Sequence, residues 1–181
     1  MTSLTEGKAG KALWLFTLPL LASSIFQQLY NIADTVIVGQ FVGEGALAAV
    51  GASYPITMIF TAVAMGCNIG CSVIISQLYG AGKKAQMKTA ISTSFIAFTA
   101  LALLLTGLGL ALAVPLMRML GTPTDVFDDS VVYLNIYIVG MAFVFLYNIA
   151  TGIFTAFGDS KTPLVFLIIS SVTNIGLDLL F

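Results

Sequence analysis

The chain has 181 residues, 59% of them hydrophobic and 8% charged, with a net charge of −1 and a mean hydropathy of +1.04. Soluble domains carry roughly 25% charged residues, and a water-soluble fold of this size has too little interior to hide so much apolar surface. The sequence therefore describes an integral membrane protein. With no histidine and only two cysteines, it offers no zinc site, haem ligation or Cys/His dyad.

Apolar segments follow one another at approximately 13–38, 47–78, 90–114, 131–157 and 163–181. About 20 helical residues cross ~30 Å of hydrocarbon, so each segment is long enough or nearly so. The alternating strands of an outer-membrane barrel are absent from the pattern. The second segment is overlong and holds Pro55, so it is expected to protrude, tilt or bend. The predicted fold class is all-α integral membrane, a polytopic bundle of about five transmembrane helices in a single domain over 1–181.

Loop charges give an expected orientation. Lys8 and Lys11 precede helix 1, Lys83, Lys84 and Lys88 lie between helices 2 and 3, and Lys161 lies between helices 4 and 5. The opposite loops hold Arg118 with Glu44, Asp125, Asp128 and Asp129. Under the positive-inside rule the N-terminus is cytoplasmic and helix 5 runs outward. Lys8 and Lys11 also resemble the start of a signal peptide, but the four further spans already explain membrane targeting, and no cleavage is expected. Residues 177–181 are still apolar helix, so the chain is expected to be a piece of a longer protein or a truncated product.

The polar residues inside the spans carry the functional signal. Gln27, Asn31 and Asp34 share one face of helix 1, with Gln28 just off it. Asn174 and Asp178 share a face of helix 5, and helix 4 offers Asn148, Thr151 and Thr155, with Tyr133, Asn135 and Tyr137 nearer its outer end. An ionisable residue at membrane depth tends to face the bundle interior and to mark an ion or substrate path. Asp34 and Asp178 both fall in the outer halves of outward-running helices, each with an Asn nearby. Such oxygen donors suit a hard cation such as Na⁺, or a proton. Interhelical hydrogen bonding is the competing reading for Gln28, Asn68 and Asn135. Cys67 and Cys71 with Gly66 and Gly70 form a small-xxx-small pattern, expected to serve close helix packing. Lys83 and Lys84 are expected to act as a topology signal, with lipid headgroup contact the lesser reading.

Four stretches together resemble the N-terminal part of the multidrug and toxic compound extrusion (MATE) family, in its prokaryotic damage-inducible-F-like and Gram-positive drug-efflux branches. They are Gln27 through Asp34 continuing as TVIVGQFVGEGALAAVGASYPI, ISQLYGAGKKAQMKTAI, GIFTAFGDSKTPL, and Asn174 through Asp178. The resemblance covers the whole chain. It implies a fold of twelve helices in two pseudo-symmetric lobes around a cavity that opens alternately to either side. This chain would supply helices 1 to 4 and most of helix 5, leaving helices 6–12 to the rest. The family's N-lobe cation site falls on Asp34, Asn174 and Asp178, with a further ligand on helix 6. Gln27, Tyr133 and Asn148 would line the same cavity, joined by Asn31 from its shared face with Gln27 and Asp34.

The function so implied is secondary active multidrug efflux across a prokaryotic plasma membrane. Small lipophilic cations would leave as H⁺ or Na⁺ enters, with no cofactor and no nucleic-acid partner. Two carboxylates in one cavity repel each other, so a cation between them is held tightly. That binding moves the bundle only if the ion prefers one conformation. Pro19 is a candidate bend in helix 1. Two other readings stay open: a lipid-linked oligosaccharide flippase of the same superfamily, which would want basic residues in the cavity, and a truncated, transport-inactive membrane protein. A membrane enzyme is disfavoured, because no nucleophile–base pair or phosphate loop is present.

Overall fold

The computed structural model describes residues 9–178 and 180, and for 9, 11, 12 and 178 the backbone alone. Lys8 lies outside the described residues, as do the Lys11 and Asp178 side chains. The chain forms α1 (Ala9–Ile37), a π-helical turn (Val38–Val42), α2 (Glu44–Gly80), α3 (Lys84–Met119), α4 (Phe127–Ala156) and α5 (Lys161–Asp178). Four of these stretches are long and apolar enough to cross a membrane, and α5 contributes a shorter apolar helix among the described residues.

Most helices run past their apolar segments. The predicted 90–114 becomes Lys84–Met119, because a polar first turn and a last turn carrying Arg118 remain helical beyond the hydrophobic core. Helix 1 continues through a π turn until Gly43, whose φ of 110° is a conformation that L side chains rarely adopt. Pro55 lies within a continuous α2.

α2, α3 and α4 pack on one another, the α2–α4 interface being the most extensive, while α1 packs chiefly on α5. Three contacts advance together along α2 and α4 and so make them parallel: Ser53 Oγ to the Ser130 carbonyl at 3.2 Å, Thr61 with Tyr137 at 2.9 Å, and Ser72 with Thr155 at 3.5 Å. The larger core cluster joins Ile56, Phe60 and Ala64 of α2 with Ala102, Ala113 and Met117 of α3 and Leu134, Ile138, Met141 and Phe145 of α4. A second cluster surrounds Cys71, Ile75, Ile149 and Ala156, towards the end that bears Lys83 and Lys84. Among the described residues, neither cluster includes a side chain from α1 or α5.

The small-residue expectation on α2 is half corrected. Cys67 and Cys71 do pack into the core, but Gly66 and Gly70 are exposed, and a Cβ on either would meet nothing within 4 Å. Tight crossings lie instead at Gly109 of α3, where a Cβ would sit 2.9 Å from the Phe60 ring, and at Gly152 of α4. A Cβ at Gly152 would sit 2.8 Å from Asn68 Oδ1 and 2.9 Å from the Asn68 carbonyl oxygen. Large apolar side chains such as Trp14, Phe41 and Phe143 point outward, as expected of helices surrounded by apolar material.

Candidate functional site between the two helix groups

Among the described residues, two hydrogen bonds tie α1 to α5 and the turn ahead of it. Ser160 Oγ, just ahead of α5, donates to the Phe16 carbonyl at 2.9 Å, and the Tyr30 hydroxyl donates to Asn174 Oδ1 at 2.9 Å. Both join residues 144 positions apart. A constant offset means that the helices run parallel and in register, with the two bonds about 21 Å apart at ~1.5 Å of rise per residue. The same offset sets position 178 level with Asp34. The backbone thus brings two sequence-predicted carboxylate positions abreast, with Asn174 one turn away.

The other wall is α4. Asp34 is half-buried and lies within electrostatic range of Tyr133. Tyr133 and Tyr137 stack one turn apart with ring centroids separated by 6.4 Å, and the Tyr137 hydroxyl bonds Thr61 of α2. Thr61 in turn donates to the Thr57 carbonyl at 2.9 Å. Polar groups therefore recur on both sides of this region, Tyr30 with Asn174 on α1 and α5 and Tyr137 with Thr61 on α4 and α2, with Asp34 in electrostatic range of Tyr133. They sit in an otherwise apolar bundle, where polar groups need partners because water is scarce.

The remaining predicted residues are placed differently. Gln27 and Asn31 are exposed on the flank of this region, where Asn31 Nδ2 donates to Gln28 Oε1 at 3.3 Å. Asn148 Nδ2 is turned back onto the Val144 carbonyl at 2.9 Å. It sits some 22 Å along α4 from Tyr133 at ~1.5 Å per residue, outside this cluster. Asn135 does not act through its carbonyl oxygen as an interhelical link, because Oδ1 is buried with no hydrogen-bond partner. Tyr30 and Thr61 are the members that sequence reasoning did not single out. Tyr30 stands one turn before Asp34, and that spacing was the available signal.

The turn that carries Ser160 is ordered by Asp159. Its Oδ1 accepts the backbone N–H groups of Lys161 and Thr162 at 3.2 and 3.1 Å, and its Oδ2 accepts the Thr162 hydroxyl at 2.7 Å. These bonds satisfy the otherwise orphaned first amides of α5. The Thr162 hydroxyl bond, ahead of the two backbone bonds, holds the Asp159 carboxyl below its ordinary range despite an opposing effect of burial.

Long apolar helices joined by short turns, with a carboxylate and polar groups lodged between two helix groups, define a polytopic helical membrane protein. The MatE family model matches residues 19–180, and the chain belongs to that family. Its relatives include the probable multidrug resistance proteins YoeA and YpnP of Bacillus subtilis (strain 168). YoeA is 33% identical over 177 residues, 96% of this chain and 38% of the relative. YpnP is 31% identical over 177 residues, 98% of this chain and 40% of the relative. A solved outward-facing multidrug resistance MATE transporter superposes with a TM-score of 0.89 at 28% identity, covering 95% of this chain and 38% of that one. The chain thus spans about two-fifths of the length of the proteins it matches. The relatives are transporters of bacterial membranes, not enzymes.

Proposed function

We propose that the chain forms the cation-coupling half of a secondary active exporter. Lipophilic cationic compounds leave the cell as H⁺ or Na⁺ enters. The observation that carries this reading is the register of α1 and α5, which sets Asp34 level with position 178 while Tyr30 bonds Asn174. Asp34, Asn174 and Asp178 are the proposed ion ligands, and Tyr133 is the polar wall facing Asp34. A cation between two carboxylates relieves their repulsion, and it shifts the bundle if the α1–α5 pair sits differently against α2–α4 in the two states. The N-terminus is taken as cytoplasmic from the lysine distribution, and helices 6–12 are supplied by the remainder of a full-length product. Gln27 and Asn31, exposed beside Asp34, are the proposed cavity-lining residues of α1.

The test uses the full-length gene product in membrane vesicles with ethidium as cargo. Asp34→Asn and Asp178→Asn are expected to abolish gradient-driven efflux with insertion unchanged. Parental export by both variants would remove the site assignment. Imposing a Na⁺ gradient or a proton gradient separately identifies the coupling ion.

A further inference from the structure

Pro19 lies inside α1, ten residues into the helix that carries Asp34. It lacks the N–H that would bond the Leu15 carbonyl, and its ring crowds that carbonyl, which weakens the turn from residue 15 to 19 within a helix that stays continuous from Ala9 to Ile37. In a bilayer such a weak point is tolerated where neighbouring hydroxyls take up the backbone groups. The Phe16 carbonyl lies in this turn, one residue on from the Leu15 carbonyl that Pro19 leaves without its helical donor, and the hydroxyl that reaches it comes from Ser160, 144 residues away. Ser160 is 2% exposed, so water does not compete for the bond. On the other side of Pro19, Ser23 Oγ donates to the Pro19 carbonyl at 2.9 Å and Ser24 Oγ to the Leu20 carbonyl at 3.1 Å. Back-bonding of this type favours bending. The weak turn thus has one tertiary hydrogen-bond partner among the described residues, and that partner stands on the α4–α5 connection.

The connection is built to hold it. Gly158 turns the chain with a φ of 77°, Asp159 ties down the first amides of α5, and Pro163 is buried in the first turn. Ser160 is therefore presented from a rigid base to a soft point of α1. We propose that Ser160 is a positioning residue, whose hydroxyl fixes the proline-weakened turn of α1 to the start of α5 so that the inner half of α1 moves with α5. The role acts through the Phe16 backbone and requires no contact with ion or cargo. It therefore stands or falls separately from the assignment of Asp34 and Asp178.

The proposal makes the effect of Ser160 depend on Pro19. A regular helix closes the turn from residue 15 to 19 by itself, so Pro19→Ala should render the Ser160 hydroxyl dispensable. The experiment is hydrogen–deuterium exchange on the full-length product in lipid nanodiscs, comparing the parent, Ser160→Ala, Ser160→Thr, Pro19→Ala and the double variant Pro19→Ala/Ser160→Ala. Loss of one such hydrogen bond corresponds to about tenfold faster local exchange. The expected result is that rise in the first half of α1 for Ser160→Ala, with α2–α4 unchanged, and no further rise when the same change is made on Pro19→Ala. Ser160→Thr, which keeps the hydroxyl, should stay near the parent. A rise of equal size in both backgrounds, a rise spread over all helices, or no rise at all would each overturn the proposal. Should Ser160→Ala fail to accumulate, the comparison of Ser160→Thr with Ser160→Val still separates hydroxyl from volume, and equal exchange in those two would overturn it as well.

Discussion

The sharpest stability test is at Gly152, where α4 meets α2. Gly152→Ala adds one methyl group, whose carbon would lie 2.8 Å from Asn68 Oδ1 and 2.9 Å from the Asn68 carbonyl oxygen. The side-chain oxygen can rotate away, but the carbonyl is fixed in α2, so the helices must separate along their most extensive interface. Overpacking of this kind costs about 1–3 kcal/mol. The same substitution also gains roughly 1 kcal/mol of helix propensity, so its raw effect understates the clash. Gly107 supplies the matched control, since it too is mid-helix and a Cβ there meets nothing within 4 Å. The difference between Gly152→Ala and Gly107→Ala cancels propensity and leaves the packing cost, expected at about 1–3 kcal/mol against Gly152→Ala. Thermal unfolding in detergent with both variants measures it. Equal melting midpoints for the two would refute the crossing at Asn68.

Tyr30→Phe keeps the ring and removes the hydroxyl that bonds Asn174. Losing that bond is expected to weaken ion coupling about fivefold to tenfold, read as a higher ion concentration for half-maximal efflux with the maximal rate nearly kept. Asp159 gives a pH prediction. Its folded-state carboxyl is held below the ordinary range, so its contribution is present above the unfolded value of about 4 and is lost as pH falls through the lower folded value. Asp159→Ala should therefore cost about 0.5–2 kcal/mol at neutral pH, and the gap from the parent should close in acid. A gap independent of pH in circular-dichroism melts would count against the cap.

The helical bundle was legible because the solvent dictates it: segments that long and apolar have few other solutions in a membrane. Element ends were less legible, since hydropathy sees only the apolar middle, whereas residues 84–89 of α3 stay helical without being apolar. Within helices, spacing worked. Asn31 with Asp34, and positions 174 and 178, lie about one turn apart on their helices, which the helical period alone states. Between helices it did not, because no period states which face meets which neighbour. Gly66 and Gly70 therefore looked like a crossing and are exposed, while Gly109 and Gly152 carry close approaches without any repeating pattern. Tyr30 was passed over for the same reason. Its value lies in a partner 144 residues away.

The common offset of the two α1–α5 hydrogen bonds has a consequence for how such a chain tolerates change in length. Phe16 to Tyr30 and Ser160 to Asn174 are rungs cut to the same measure. A residue lost or gained in one rail alone would turn everything beyond it by about 100°, and one of the two bonds would face the wrong way. Substitutions in these stretches can be accommodated singly, but an insertion or deletion must occur in both at once. The two segments, far apart in the sequence, are bound to keep equal length.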